Sequence, residues 1–243
     1  MSIYLDILKA IENNQKLLAV LIDPDKFKIE NVSRFISKLK LSMASHIFVG
    51  GSTVEDHTTE KLVIEIKKHS KLPVVLFPGD ITQITGCADA LLFLSLISGR
   101  NAEYLIGKHV DAVPLLQGSN LEVIPTGYIL IENGKETAVE RVSQTQPMTL
   151  GCVQKIIDTA IAGELLGLKL IYLEAGSGAK HPVPAEIISE VKKKLNIPII
   201  VGGGIRTKQL VSEAYNSGAD LVVVGTAFED NESFFEEFDT PLL

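Results

Sequence analysis

Short apolar runs alternate with longer amphipathic stretches along most of this chain. The runs are near-continuous in hydrophobicity and often β-branched, which is typical of strands buried on both faces of a parallel sheet. They lie at residues 17–22, 46–49, 74–77, 91–94, 128–131, 170–173, 199–201 and 221–224. Stretches with helical periodicity lie at residues 29–41, 54–69, 102–116, 150–166, 185–195 and 208–217. Eight strands alternating with helices predict an α/β fold, a (β/α)8 TIM barrel that occupies residues 1–243 as a single domain.

Two segments depart from the plain repeat. Residues 79–86 leave room for only a turn or two of helix in the third crossover. In the segment GYILIENGKETAVERV, Asn133 and Gly134 separate two alternating runs, and an Asn-Gly pair favours a type I′ hairpin turn. We therefore expect a β-hairpin near strand five, either as a surface extension or as a cover over a substrate.

The N-terminal segment and the apolar runs both argue against a membrane span. The longest runs, 17–22 and 90–97, fall far short of the roughly 20 apolar residues that a spanning helix needs. The N-terminal segment MSIYLDILKAIENNQK carries Asp6, Lys9 and Glu12 within its apolar pattern, so it predicts a short amphipathic helix rather than a signal peptide. The apolar side of this helix would carry Ile3, Leu5, Leu8 and Ile11.

The composition supports a buried hydrophobic core, and the net charge argues against nucleic acid as a partner. The 243 residues are 46% hydrophobic, which is ample for a real core. They carry 23 Lys+Arg against 30 Asp+Glu, a net charge of −7, whereas nucleic-acid binding needs a basic surface. Cys87 and Cys152 have neither disulfide-framework nor metal-knuckle spacing, so we expect a reducing, cytoplasmic location.

Glycine-rich segments follow the last three predicted strands. YLEAGSGA begins at Tyr172, VGGGI at Val201 and VGTAF at Val224. In a (β/α)8 barrel such loops lie at the C-terminal face, where functional sites are built. Glycine lets the main chain approach an anion closely, with its N–H groups pointing at the anion. The pattern favours a phosphate-binding barrel over simple turns.

Polar residues also follow the first two strands. Asp23 and Asp25 flank Pro24, and Asp23 is a candidate oxygen ligand for a hard cation such as Mg²⁺. Asp25 suits a helix N-cap. Ser52, in the segment VGGST, is either a second oxygen ligand or a helix cap.

Glu174 ends an otherwise apolar strand just before the first glycine loop. An unpaired carboxylate there is unfavourable, so Glu174 needs a partner such as Lys180 or Arg206, or a chemical role beside the phosphate loop. The chemical role is the interpretation that we favour. The five histidines show no zinc-site spacing, and His109 is the one that merits further attention.

Seven motifs in chain order together resemble one known family. They are LIDPDK, VGGST, GRNAEYLIGKH, GYILIENGKETAVERV, YLEAGSGA, VGGGI and VGTAFE. From about Leu18 to Phe228 the chain resembles geranylgeranylglyceryl phosphate synthases, including their bacterial relatives. The resemblance implies a TIM-barrel prenyltransferase that uses Mg²⁺ to join sn-glycerol 1-phosphate to a polyprenyl diphosphate, expected to be geranylgeranyl diphosphate, through an ether bond. It also implies a homo-oligomer. Because the product would be a lipid, a peripheral contact with a membrane surface is a further expectation.

Position by position, the resemblance assigns a role to each matching residue. Asp23 and Ser52 would hold Mg²⁺, Glu174 would be the base on the glycerol hydroxyl, and Tyr172 would help to place substrate. The residues expected to bind glycerol 1-phosphate are Tyr172, Leu173, Glu174, Ala175, Gly176, Ser177, Gly178, Gly203, Gly204, Gly225 and Thr226.

The chain departs from many family members at Leu21, where they carry a lysine two residues before the metal aspartate. Lys26 and Arg206 are candidate replacements for that cation. Two further functions remain open from the residues alone. One is another phosphate-binding barrel, such as a sugar-phosphate isomerase or synthase or a flavin-dependent relative, and the other is a non-catalytic barrel that binds isoprenoids.

Overall fold

The computed structural model describes residues 2–52, 54–55 and 57–225, which form a closed barrel of eight parallel strands. The strands follow one another around the barrel in chain order, and the eighth pairs with the first. They are β1 Leu17–Ile22, β2 His46–Val49, β3 Val74–Leu76, β4 Ala90–Ser95, β5 Glu122–Leu130, β6 Leu170–Glu174, β7 Ile199–Gly202 and β8 Leu221–Val224. The predicted (β/α)8 fold is confirmed.

One helix precedes the first strand and the others lie between strands, all at predicted places except α5. They are α1 Ile3–Glu12, α2 Val32–Leu39, α3 Thr58–His69, α4 Lys108–Leu116, α5 Ala138–Ser143, α6 Val153–Leu165, α7 Ala185–Lys192 and α8 Lys208–Asn216. The third crossover holds a single 3₁₀ turn, Ile81–Gln83, as its length predicts, and a π-helical turn, Glu103–Gly107, leads into α4. Within the described ranges, no helix is long and apolar enough to cross a bilayer.

Side chains alternate between the inside of the barrel and the layer beneath the helices. In β1, Leu17 and Ala19 belong to the interior cluster, whereas Leu18, Val20 and Ile22 pack against the helices. Alternation along each strand produces these two apolar layers, because successive side chains of a strand point to opposite faces. The apolar excess of the sequence is therefore accounted for by a barrel core with two layers.

Helix α1 packs beneath the N-terminal end of the barrel, and its predicted apolar side is confirmed only in part, since Ile3 and Ile11 pack against the interior cluster. Ile7 and Ala10 are buried, whereas Leu5 is 52% exposed. The reason lies in Glu122, whose carboxylate accepts hydrogen bonds from the Ser2 hydroxyl (2.6 Å) and from the main-chain N–H groups at the start of the helix. This anchor fixes the rotation of α1 about its axis.

The β-hairpin expected at Asn133 and Gly134 is wrong. The segment after Gly134 forms helix α5, and its first turn is closed by a capping box between Thr137 and Glu140. Thr-x-x-Glu is a strong start signal for a helix and outweighs the alternation that suggested a second strand. After α5 the chain returns to the end of β5, where Met148 forms a parallel bridge with Ile131.

Candidate active site

A cavity of about 520 Å³ opens at the C-terminal ends of the strands. Its volume falls in the range typical of small-molecule sites. Part of its wall is apolar and aromatic, and includes Phe77, Leu92, Phe93, Leu94, Tyr104 and Val139. Another part is polar and is built from Asp23, Ser52, Glu174 and the glycine loops.

Most of the predicted site residues meet in this cavity. It is lined by Asp23, Ser52, Tyr172, Glu174, Gly176, Ser177, Gly178, Gly203, Gly204 and Gly225. Leu173 and Ala175 are placed differently, because strand alternation turns their side chains into the layer beneath the helices. Their contact with a ligand would have to come from the main chain. Thr226 lies outside the described residues.

Glu174 is the most buried carboxylate at the cavity, with 5% of its surface exposed. Burial raises its pKa to about 7, although the hydrogen bond from the Gly176 N–H and the adjacent Tyr172 hydroxyl act in the opposite direction. Its Oε1 accepts the Gly176 N–H at 2.5 Å. Within the described part of the chain, neither Lys180 nor Arg206 forms an ion pair with it; Arg206 instead donates to the Ala179 carbonyl at 2.7 Å.

Three aromatic rings lie together at the inner end of the cavity. The Phe77 and Tyr172 rings stack with centroids 5.1 Å apart, and the Tyr128 ring lies 5.4 Å from that of Tyr172. Burial, followed by the nearby Glu174 charge, raises the pKa of both tyrosines well above the ordinary value, so both phenols stay neutral. The Tyr172 hydroxyl is buried beside the Glu174 carboxylate, and no well-formed hydrogen bond satisfies it among the described residues.

The glycine loops pack so closely around Glu174 that a larger residue would not fit at Gly203. Gly203 has φ +83°, and a Cβ at this position would collide with the Glu174 carboxylate and lie 2.6 Å from the Gly176 nitrogen. Gly176 itself has φ +97°. The left-handed conformation and the close packing both require glycine at these positions. Loops that bind an anion through main-chain N–H groups have the same requirement.

Asp23 also lines the cavity, and 17% of its side chain is exposed. Its Oδ2 pairs with Lys26 Nζ at 2.7 Å, and its Oδ1 accepts the Asp25 N–H at 3.2 Å. Gly51 packs onto the carboxylate so closely that a Cβ there would be 2.7 Å from Oδ1. The Asp23 carboxylate therefore packs against the main chain of Gly51, in space that any larger residue would fill with its Cβ.

The helix caps suggested for Asp25 and Ser52 are not formed. The Asp25 carboxylate accepts the Glu55 N–H at 3.1 Å and thereby ties together the loops after β1 and β2. Ser52 lies six residues before α3, which begins at Thr58 after His57 at its N-cap. Ser52 lines the same cavity as Asp23, where its hydroxyl is a candidate metal ligand.

A divalent cation would find a sparse set of protein ligands. No group of three or more His, Cys, Asp or Glu side chains suited to a metal occurs among the described residues. One carboxylate and one hydroxyl at the cavity mouth fit a hard cation that takes its remaining oxygens from a diphosphate and water. They do not fit a dedicated all-protein cage.

The structure adds cavity residues that sequence reasoning left without a role. Asp80 and Lys108 form an ion pair across the wall; burial opposes both charges, yet the pairing lowers the pKa of Asp80 and raises that of Lys108. The ring of His109 packs edge-on against Phe93 with centroids 4.4 Å apart, and burial lowers its pKa. Both Lys108 and His109 belong to the motif GRNAEYLIGKH. Its position after β4, at the face where functional sites lie, was the sequence feature that could have indicated a role in the cavity.

Comparisons with known proteins agree with this geometry. The model of the PcrB family matches residues 10–240. The chain is 57% identical over 235 residues to a geranylgeranylglyceryl phosphate synthase of Flavobacterium johnsoniae, covering 97% of both chains. It is likewise 57% identical to the protein of that name from Zunongwangia profunda, covering 93% of this chain and 96% of that one.

Solved structures show the same relationship. The crystal structure of (S)-3-O-geranylgeranylglyceryl phosphate synthase from Thermoplasma acidophilum, in complex with sn-glycerol-1-phosphate, superposes with a TM-score of 0.91. The two chains are 31% identical, and the match covers 98% of this chain and 96% of that one.

Proposed function

The chain belongs to the PcrB family, and from that membership we propose that it transfers a polyprenyl group from its diphosphate to sn-glycerol 1-phosphate. The observation that carries the proposal is the position of Glu174. This carboxylate is enclosed by glycine loops in a cavity that is also lined by apolar and aromatic side chains. Such a site can hold a phosphate and a hydrocarbon chain on either side of one base.

The acceptor half of the reaction is assigned to the glycine loops. Gly176, Gly178, Gly203 and Gly204 all have positive φ, and all line the cavity. Their main chain would hold the phosphate of glycerol 1-phosphate, as in other phosphate-binding barrels. Support comes from the Thermoplasma acidophilum relative, which was crystallised with sn-glycerol-1-phosphate.

Glu174 is assigned as the general base. A base works best when its pKa lies near the working pH, and burial has moved the pKa of Glu174 to about 7. The adjacent Tyr172 hydroxyl has no other well-formed bond among the described residues and would help to place the acceptor hydroxyl beside the carboxylate.

The donor half is assigned to the loops after β1 and β2. Asp23 and Ser52 would hold Mg²⁺, because their oxygens and the glycine cradle at Gly51 fit a cation shared with a diphosphate. When bound, Mg²⁺ would neutralise charge on the leaving diphosphate. Lys26, paired with Asp23, is the better candidate for the cation that many relatives carry at the Leu21 position, since Arg206 is bonded to the glycerol-phosphate side at Ala179.

The transfer then balances as a substitution at the first prenyl carbon. The bond between this carbon and the diphosphate oxygen breaks, and the diphosphate leaves with the electron pair. The 3-hydroxyl oxygen of glycerol 1-phosphate bonds to the carbon, and its proton passes to Glu174. The neutral rings of Phe77, Tyr128 and Tyr172 line the same cavity and would favour positive charge that develops on the allylic carbon.

The proposal also covers the setting of the enzyme. Cys87 and Cys152 are both free thiols, which suits a cytoplasmic location. The family resemblance favours a homo-oligomer. The prenyl chain would lie along the apolar wall beside Phe93, Leu94 and Tyr104.

The experiment incubates the purified protein and Mg²⁺ with labelled sn-glycerol 1-phosphate and prenyl diphosphates of several lengths. We expect an ether-linked prenylglyceryl phosphate with at least one chain length, together with free diphosphate. Absence of an ether product with every donor would refute the proposal. Conversion of sugar phosphates would favour an isomerase, and tight prenyl binding without turnover would favour a non-catalytic isoprenoid-binding barrel.

A further inference from the structure

Gln83 is a buried carboxamide behind the donor side of the site. It ends the 3₁₀ turn after β3 and is 1% exposed. Its Nε2 donates to the Gly51 carbonyl at 2.8 Å, and its Oε1 accepts the Gly51 N–H at 3.1 Å. Both polar atoms of the Gln83 side chain therefore bind the main chain of Gly51, the residue that packs against the Asp23 carboxylate.

Asn133 is a second buried carboxamide, behind the acceptor side. It follows β5 and is 3% exposed. Its Nδ2 donates to the Ala175 carbonyl at 2.6 Å. Ala175 lies between Glu174 and Gly176, whose N–H binds the Glu174 carboxylate.

Each carboxamide belongs to the loop of a neighbouring strand rather than to the loop that it binds. The loop after β3 holds the loop after β2, and the loop after β5 holds the loop after β6. Among the described residues, the cavity wall includes neither Gln83 nor Asn133. Any effect of these side chains on a substrate must therefore pass through the main chain that they hold.

The held loops have few other side chains to define their position. Gly50 and Gly51 carry no Cβ, and the same is true of Gly176 and Gly178. Glycine has the largest conformational freedom of any residue, so such loops need external contacts to keep one conformation. A displacement of about 1 Å in a binding loop is enough to reduce catalysis on the order of a hundredfold.

We propose that Gln83 and Asn133 are two independent positioning residues, each of which fixes the loop for one substrate. Gln83 sets the Gly50–Ser52 loop for the prenyl diphosphate, and Asn133 sets the Glu174–Gly178 loop for glycerol 1-phosphate. The inference rests on the proposed function, since that function assigns one substrate to each loop.

The test compares Gln83→Glu with Asn133→Asp. Both substitutions keep the size of the side chain, and both replace the amide donor that binds a main-chain carbonyl. For Gln83→Glu, the KM for prenyl diphosphate should rise about tenfold while the KM for glycerol 1-phosphate changes less than about twofold. For Asn133→Asp the pattern should be reversed. Isothermal titration of glycerol 1-phosphate without donor should show the same loss of affinity in Asn133→Asp alone.

Asn13→Asp is the matched control. The Asn13 amide also donates to a main-chain carbonyl, that of Lys9 at 2.8 Å, but Asn13 is exposed and lies at the C-cap of α1, which packs at the opposite end of the barrel. This variant should leave both KM values within about twofold of the wild type. Gln83→Met and Asn133→Ser repeat the test without an added charge.

The outcomes separate the inference from the proposed function. If the wild-type protein forms no ether product, the proposed function fails first. If the wild type is active but each variant raises both KM values alike, or lowers only the Tm, the inference is overturned. It is also overturned if neither variant at a position yields folded protein, because that position would then serve the fold as a whole.

Discussion

Replacing Glu174 by glutamine should remove turnover and, at the same time, stabilise the fold at neutral and alkaline pH. Glutamine has nearly the same shape and can still accept the Gly176 N–H that the wild-type carboxylate accepts. It cannot take a proton from the acceptor hydroxyl. We expect kcat to fall on the order of a hundredfold to ten-thousandfold, with binding of glycerol 1-phosphate retained.

The stability effect follows from the pKa of the buried carboxyl. Burial raises this pKa from 4.5 to about 7, and the difference corresponds to roughly 3 kcal/mol at about 1.4 kcal/mol per unit. The folded state binds the proton more tightly than the unfolded state, so the wild type loses stability as the pH rises from about 4.5 through about 7. Glutamine has no such proton, and the variant escapes this loss.

Urea unfolding at pH 5, 6, 7 and 8 measures the effect. The unfolding free energy of Glu174→Gln minus that of the wild type should grow by about 2 kcal/mol from pH 5 to pH 8. The exposed Glu12→Gln is the control for removing a carboxylate from the surface. A constant difference for Glu174→Gln, or a variant that keeps wild-type turnover, would refute the reasoning about Glu174.

Three further perturbations probe other parts of the molecule. Asp23→Asn should raise the Mg²⁺ concentration for half-maximal activity about tenfold, and an unchanged Mg²⁺ titration would remove Asp23 as a ligand. Gly203→Ala forces a left-handed residue against the Glu174 carboxylate, so kcat/KM for glycerol 1-phosphate should fall about a hundredfold, whereas Gly118→Ala, with φ +79° in open space, should leave it unchanged. Glu122→Ala removes the anchor of α1 and should lower the free energy of unfolding by about 1–2 kcal/mol in urea titrations without affecting kcat; an unaltered stability, or a loss of activity, would contradict that role.

The arrangement of the glycine loops around Glu174 could be predicted from the sequence because its parts are close together along the chain. Glu174 and its glycines follow one strand within a few residues, and Gly203 follows the next. The barrel rule places both at the same face. Strand alternation also explains why Leu173 and Ala175 are buried away from the cavity, although the motif includes them.

The rest depends on contacts between residues far apart in the chain. Gln83 binds Gly51 across 32 positions, and Asn133 binds Ala175 across 42 positions. No periodicity encodes such a pair, since it is set by the register of neighbouring strands. The rotation of α1 escaped prediction for the same reason, because Glu122 lies about 120 residues from the helix that it anchors.

The error at residues 133–143 has a local cause. Asn133 and Gly134 favoured a hairpin, whereas Thr137 and Glu140 favoured a helix three residues later. The capping box starts the helix, and Asn133 is buried with its amide on the Ala175 carbonyl instead of lying in a hairpin turn. The same contact that corrects the prediction is the one proposed to fix the acceptor loop.

The central claim is that the 3-hydroxyl of glycerol 1-phosphate, deprotonated by Glu174, attacks the prenyl carbon. The most direct measurement uses sn-glycerol 1-phosphate with ¹⁸O in its 3-hydroxyl and follows the product by mass spectrometry. We expect the ether product to retain the ¹⁸O and the released diphosphate to carry none. An unlabelled ether, or label in the diphosphate, would contradict it.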